Sequence, residues 1–348
     1  MKTVLVTGGA GFIGSNFIRH IFHKYPEYKI VVLDALTYAG NIENIPVEIR
    51  DSERFEFWYG NLNNLDLVDD LVGRSQVVVH FAAETHVARS LYLNRVFFIT
   101  DVLGTQAIAN AILKHSDKAD RRGYVERFIH ISTSEVYGTA LRDPMDEEHP
   151  INPTTPYAGA KAGADRLVSS YIESYGIPGV IIRPFNNYGP HQHLEKVIPR
   201  FITSAILKEP FTIHGDGSAA RDWIFVEDTV EAIDKVMHAP LDDIKGEVFN
   251  VGTGISISVL DIARKIAEIF SLDASYLTYM EERFGQVQNH ISSTGKAEKQ
   301  LGFKAKVMFD AGLLKTVEWY KNNKGFWEKQ MAMRKVPVKN KSGEIVWY

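Results

Sequence analysis

Tyr157 and Lys161 stand four residues apart in "TPYAGAKAGAD". On a helix this spacing puts both side chains on one face, a single turn apart. A free phenol keeps its proton to a pH near 10. An adjacent ammonium favours the phenolate, so the pair can serve as a base near neutral pH. Upstream, "RFIHI" runs into "STSEVYG", where two small hydroxyl residues, Thr133 and Ser134, precede a carboxylate, Glu135, and a turn glycine. Read alone, this heptad is an ordinary turn, and Tyr and Lys four apart are an ordinary solvated helix face. The rest of the chain decides between the bland reading and the chemical one.

The N-terminus supplies the first context. "VTGGAGFIGS" places Gly8, Gly11 and Gly14 between a strand-like run and a helical one, and Asp34 closes the next strand-like run, "IVVLD". A glycine triplet after a strand and before a helix, with an acid about 20 residues on, is a dinucleotide fingerprint. The glycines let the backbone approach a pyrophosphate, which sits on the positive helix N-terminus. Asp34 accepts hydrogen bonds from the adenosine ribose. A carboxylate there repels a 2′-phosphate, which points to NAD rather than NADP.

These groups need a frame. "TVLVTG" (3–8) is apolar at consecutive positions, as a strand covered on both faces is. Phe17, Ile18, Ile21 and Phe22 recur at helical spacing. "IVVLD" (30–34), "RFEFW" (54–58), "VVVHFAA" (77–83), "RFIHIS" (127–132) and "GVIIRP" (179–184) are further strands, with long helices over about 94–115 and from Pro156 onward. Such alternation predicts an α/β fold: a Rossmann-type, doubly wound parallel sheet with helices on both faces. After about residue 184 prolines and glycines cluster, and a smaller α/β substrate-binding portion interleaves with the last sheet strands. The tail, "VPVKNKSGEIVWY", reads as two short strands around a Ser-Gly turn.

Bulk properties set bounds. The chain has 348 residues, 45% hydrophobic and 24% charged, the make-up of a soluble globular protein of about two domains. It has no cysteine, so disulfides, thiolate metal sites and cysteine nucleophiles are excluded, and a reducing compartment suits it. The opening "MKTVLVTGG" is not a signal peptide, and no apolar run is expected to reach the roughly 20 residues that span a bilayer. We expect a cytoplasmic protein that engages neither membrane nor nucleic acid; the net charge of −4 argues against the latter. His191 and His193 in "GPHQHLEK" lack a partner cluster, so no metal site is expected; His80 is expected to pack and His86 to face the substrate.

The Gly-x-x-Gly-x-x-Gly spacing together with Tyr-x-x-x-Lys resembles the extended short-chain dehydrogenase/reductase family over about residues 1–320. "LDALTYAGN", "AAETHVARS", "RPFNNYGPHQHLEKVIPRFI" and "IHGDGSAARDWIFVEDTVEAI" resemble the dTDP-glucose 4,6-dehydratases within it. This resemblance implies that Gly8, Gly11, Phe12, Ile13, Gly14, Asp34, Asn61, Ala82, Tyr157 and Lys161 hold NAD. It implies Thr85, His86, Asn187, Lys196, Arg221, Asn250 and Arg283 for a nucleoside diphosphate sugar, with Arg221 and Arg283 clamping its phosphates. The implied division is 1–184 for NAD, with late strands from beyond 184, 185–324 for the nucleotide sugar, and 325–348 as a surface strap.

By the same resemblance Thr133 donates to the oxygen that Tyr157 deprotonates, and Ser134 and Glu135 stand near the next sugar carbons. The implied reaction oxidises C4, removes the C5 proton with Glu135, expels the 6-hydroxyl as water and reduces C6. The chain departs from these enzymes where they carry Thr-Asp-Glu: it has Thr133-Ser134-Glu135, and lacks the acid that protonates the leaving hydroxyl. Ser134 or a water could pass that proton. Arg283-Phe284-Gly285-Gln286 replaces Arg-Pro-Gly-His. Thr-Ser-Glu is similar to the dehydratases of GDP- or N-acetylated sugars and to UDP-glucuronate decarboxylases. dTDP-glucose stands first among the substrates, UDP- and GDP-sugars are alternatives, and a 4-epimerase or a decarboxylase are the competing activities. A homodimer is expected, because Val102, Ile108, Ile112, Leu167, Val168 and Tyr171 make the two long helices apolar on more than one face.

Overall fold

The computed structural model describes residues 1–116, 124–282, 287–339 and 342–347. Seven parallel strands form the main sheet, in the order Val248–Val251, Gly179–Pro184, Arg127–Ile131, Val77–His80, Lys2–Thr7, Tyr28–Asp34, Phe55–Tyr59. The apolar runs read from the sequence make this sheet because both of its faces are covered. In the first strand Val4 and Val6 face one core cluster and Leu5 the other, and in the second Ile30 and Val32 part from Val31 and Leu33 in the same way. Phe17, Ile18 and Ile21 of the helix Phe12–Lys24 cover one face, with Val230, Ile233 and Val236 of Val226–His238. Leu71, Ile108, Ile112 and Val168 cover the other. The strand order reverses beside Lys2–Thr7, which opens a crevice at the carboxyl ends of the strands where such sheets take ligands.

The strand Val248–Val251 pairs with Gly179–Pro184 and so returns the late chain to the main sheet. Apart from this strand and segments such as Val226–His238 that cover the main sheet, much of the late chain packs around a second core that includes Phe201, Phe211, Trp223, Phe225, Ile262 and Trp327. There Ala220–Phe225 pairs with Asn186–Tyr188, Ser256–Ser258 and Asn289–His290. The tail forms the antiparallel pair Pro337–Lys339 and Ile345–Trp347. It is fastened to the body by Val336 against Ala88, by the Tyr92 hydroxyl donating to the Pro337 carbonyl, and by Arg334 donating to Ser204.

Two expectations need correction. The run Asn94–Lys114 does have the length and apolar composition to cross a membrane. Half of its most apolar window is buried inside the fold, which accounts for that composition. Also, Ile108, Ile112 and Val168 are wholly buried in the protomer's own core, while Val102, Leu167 and Tyr171 are half-buried, so only part of the expected apolar surface is free. The exposed apolar residues of that run are instead Val96, Phe98 and Leu103.

Candidate active site

Three loops and one helix meet at the sheet's carboxyl edge. The first loop leaves Thr7 through Gly8, which turns with φ +68°. A Cβ on Gly8 would lie 2.6 Å from the Ala82 nitrogen, and one on Gly14 would lie 2.5 Å from the Gly8 carbonyl oxygen. Only glycine fits at either place. The helix Phe12–Lys24 begins without a side-chain cap, which leaves first-turn amides of Phe12, Ile13 and Gly14 for a ligand. Asp34, almost fully buried, accepts from the Ala10 amide at 2.9 Å and from the Leu36 amide at 2.8 Å. It therefore braces the phosphate loop, and each oxygen keeps a lone pair for a ribose hydroxyl. Asn61 is exposed at the neighbouring strand end, with its side-chain oxygen accepting from the Asn63 amide at 2.9 Å. This uncapped helix, glycine cradle and ribose acid suit a dinucleotide.

The helix Pro156–Tyr175 starts on a Thr155 cap with Pro156 in its first turn, and presents Tyr157, Lys161 and Asp165 down one face. Lys161 donates to the Ile131 carbonyl at 2.8 Å, just where the strand ends. Asp165 accepts from Ser132 at 2.7 Å and takes a two-pronged bond from Arg183, at 2.9 Å on each oxygen. The helix is thus tied to the strand end on both sides of Thr133. Thr133 is extended and caps the turn Ser134–Tyr137, its hydroxyl accepting from the Glu135 amide at 3.2 Å. The same hydroxyl bonds Tyr157. Ser134 is buried and Glu135 half-buried, and among the described residues no side chain or amide bonds the Glu135 carboxylate.

The electrostatics differ from the expectation of a phenolate at neutral pH. Burial, reinforced by the Asp101 carboxylate, pushes Tyr157 above its usual range, and the bond from Thr133 only partly opposes this. Burial also lowers the proton affinity of Lys161, against the pull of Asp101 and Asp165. Within the chain, burial and Asp101 thus favour the protonated phenol. Asp101 was not anticipated. It lies in a π-helical turn, Phe98–Leu103, whose neighbours Phe97 and Val102 pack against Tyr157 and Ala160. One oxygen accepts from the Glu84 amide at 2.8 Å, the other has no partner among the described residues, and burial pushes the acid up to about 7.

The substrate residues gather less uniformly. Thr85 and His86 follow the strand Val77–His80. The Thr85 carbonyl accepts from Lys196 at 3.0 Å, and its hydroxyl lies 3.2 Å from that of Tyr38. His86 is 3.5 Å from Glu195, a second residue that went unanticipated. Glu195 is buried at the junction of Tyr38, His86, His193 and Lys196. Burial pushes it up, but Lys196 and the two histidines together hold it below the usual carboxylate range. Asn187 donates to the Phe185 carbonyl and keeps a buried side-chain oxygen without a partner among the described residues. Arg221 is mostly buried on the strand Ala220–Phe225. Arg283 lies outside the described residues. Asn250 is wholly buried; its side-chain oxygen accepts from Tyr137 at 2.7 Å and its NH₂ donates to the Met145 carbonyl at 3.0 Å. Glu195 could have been found beside Lys196 in "HLEK"; Asp101, an acid inside "FFITDVL", carried the only other signal.

Comparison with known proteins agrees with this geometry. Residues 5–316 match the family model described as GDP-mannose 4,6 dehydratase. The low-salt glycan biosynthesis protein Agl12 of Haloferax volcanii is 42% identical over 91% of this chain and 98% of its own. A dTDP-glucose 4,6-dehydratase of Streptomyces niveus is 39% identical over 93% of this chain and 94% of its own. Among solved structures, the dTDP-glucose 4,6-dehydratase DesIV of Streptomyces venezuelae, crystallised with NAD bound, superposes with a TM-score of 0.88 at 35% identity, covering 94% of this chain and 99% of that one. The chain thus belongs to the GDP-mannose 4,6 dehydratase family of nucleotide-sugar enzymes, within the extended short-chain dehydrogenases/reductases.

Proposed function

We propose that this protein is an NAD-dependent nucleotide-sugar 4,6-dehydratase that converts a nucleoside diphosphate hexose, dTDP-glucose foremost, into its 4-keto-6-deoxy derivative. The observation that carries this reading is Glu135: a carboxylate without a hydrogen-bonding partner among the described residues, one residue past a buried Ser134, on the turn that also carries Tyr157's hydrogen-bonding partner. Oxidation at C4 alone would not need it.

The residues divide the work as follows. Gly8, Gly11 and Gly14, with the amides of Phe12 and Ile13, hold the pyrophosphate; Asp34 takes the ribose, and Asn61 and Ala82 flank it. NAD, when bound there, accepts the reducing equivalents from C4 and returns them to C6, so no net oxidant is consumed. Lys196 and Arg221 meet the substrate diphosphate, a role we also assign to Arg283, and the Asn187 oxygen, without a partner among the described residues, accepts a hydroxyl or N–H of the ligand. Thr85 and His86 line the hexose. Tyr157 takes the proton of the 4-hydroxyl while Thr133 holds that oxygen and Lys161 steadies the charge. The resulting 4-ketone acidifies C5. Glu135 removes the C5 proton, the C5–C6 double bond forms, and the 6-hydroxyl departs with a proton as water.

The experiment is Glu135→Gln. Its amide keeps the shape and cannot take a proton. We expect dehydration to fall by roughly 10²–10⁴-fold, the size of a general-base contribution, while C4 oxidation survives and the nicotinamide's near-ultraviolet absorbance builds up. Full turnover in this variant with its proper substrate would remove Glu135 from the mechanism and move the 4-epimerase reading ahead.

The proposal extends to assembly and place. Val96, Phe98 and Leu103, exposed along one helical run, offer an apolar face for a second copy in a two-fold dimer. The cysteine-free composition and a nucleotide-sugar substrate suit the cytoplasm.

A further inference from the structure

The turn that carries Glu135 is held from behind by a histidine. His290 is wholly buried in the short strand Asn289–His290, opposite Arg221 on Ala220–Phe225. Its Nε2 lies 2.6 Å from the Gly138 carbonyl oxygen. A carbonyl only accepts, so Nε2 carries the hydrogen and the ring's basic atom is Nδ1. The Gly138 amide in turn donates to the Glu135 carbonyl at 3.2 Å. Imidazole, turn glycine and Glu135 are therefore one chain of hydrogen bonds. Nδ1 is buried and has no partner among the described residues. A buried nitrogen left unpaired costs about 1–3 kcal/mol, and it calls for a reason.

The chemistry supplies one. Elimination needs a group to accept the C5 proton and a proton for the departing hydroxyl. The strand end offers one carboxylate, and the Ser134 hydroxyl is no acid at neutral pH. We infer that His290 is a positioning residue for Glu135, holding through Nε2 the turn that aims the carboxylate at C5. The inference rests on Glu135 as the C5 base. The charged and titratable groups facing the imidazole are Glu135, Arg221 and His149. Burial, Arg221 and His149 lower its proton affinity, whereas Glu135 and the Gly138 carbonyl raise it. The ring thus senses the Glu135 anion, and removing that anion should lower the ring's proton affinity.

Two measurements on the full chain test this. The first is ¹⁵N NMR of the ring nitrogens, assigned with His290→Gln. It should show the Nε2–H form, and Glu135→Gln should move the His290 titration to lower pH. A titration unmoved by Glu135→Gln overturns the coupling, and this result does not depend on which sugar is the substrate. The second compares His290→Leu, which loses both nitrogens, with His290→Gln, which keeps a donor for Gly138. With a turned-over hexose, His290→Leu should slow elimination roughly tenfold or more, with KM and C4 oxidation unchanged. His290→Gln should recover most of that rate but with an altered pH profile of kcat. Equal loss of oxidation and elimination in His290→Leu, or an unaltered profile in His290→Gln, would also overturn it.

Discussion

Asp165→Asn should cost more stability than any change at the reacting groups. Asp165 and Arg183 are both wholly buried, joined by two bonds of 2.9 Å, and Asp165 also accepts from Ser132 at 2.7 Å. Arg183 continues to the Tyr137 hydroxyl at 2.9 Å. An asparagine offers an NH₂ where Arg183 or Ser132 donates, so a guanidinium stays buried without its counter-charge. Breaking a buried pair from one side costs about 3–5 kcal/mol, a large share of the roughly 5–15 kcal/mol that holds a typical protein folded. Arg166, half-exposed beside the same carboxylate, is the control: Arg166→Gln should cost less than about 1 kcal/mol. The assay is urea unfolding followed by circular dichroism. The pH dependence has a definite sign. Burial pushes Asp165 up, but Arg183 and Ser132 hold it well below the usual carboxylate range. Its contribution is thus present above the unfolded carboxylate's pKa and is lost only as pH falls through the depressed folded value. The wild-type margin over Asp165→Asn should be full at neutral pH and shrink in strong acid. A loss below about 1 kcal/mol at pH 7 would refute the assignment of this pair as the tie between the Tyr157 helix and the Thr133 strand end.

Other outcomes follow from the same geometry. Gly14→Ala puts a Cβ 2.5 Å from the Gly8 carbonyl, and should weaken NAD binding at least roughly tenfold by calorimetry, whereas Gly295→Ala, with nothing within 4 Å, should leave it intact. Asp101→Asn removes a charge that raises the proton affinity of Tyr157, so the acid limb of the kcat/KM profile should move to lower pH, by up to about one unit, or ~1.4 kcal/mol. An unmoved limb would show that Asp101 does not act on Tyr157. Leu103→Glu should convert a dimer to a monomer in light scattering, and a wild-type monomer at micromolar concentration would sink the proposed assembly.

The main sheet was legible because parallel strands covered on both faces are written as unbroken apolar runs, and "VLV", "IVVL" and "VVV" are such runs. The glycine cradle and the Tyr157–Lys161 pair were legible because their chemistry depends on short, fixed spacing. What lay hidden depends on contacts between distant segments. Asp101 reaches the site only through a π-helical turn that no periodicity marks. His290 sits in a two-residue strand, too short for a pattern, and its meaning comes from Gly138, far away in sequence. The bonds of Asn250 to Tyr137 and Met145 likewise join segments far apart in sequence. An apolar face in sequence does not say whether its partner is another chain or the protein's own sheet: Ile108, Ile112 and Val168 face the sheet, whereas Val102, Leu167 and Tyr171 are only half-buried.

The central claim is that Glu135 turns a C4 oxidation into a dehydration. The most direct measurement is to incubate the purified protein with dTDP-glucose and a panel of other nucleoside diphosphate hexoses, and to weigh the sugar nucleotide by mass spectrometry. The account predicts a product lighter by one water from at least one of them, with the total of oxidised and reduced nicotinamide unchanged in proportion at the end of turnover. A product of unchanged mass but altered C4 stereochemistry, or release of carbon dioxide from a hexuronate in place of water from a hexose, would contradict it.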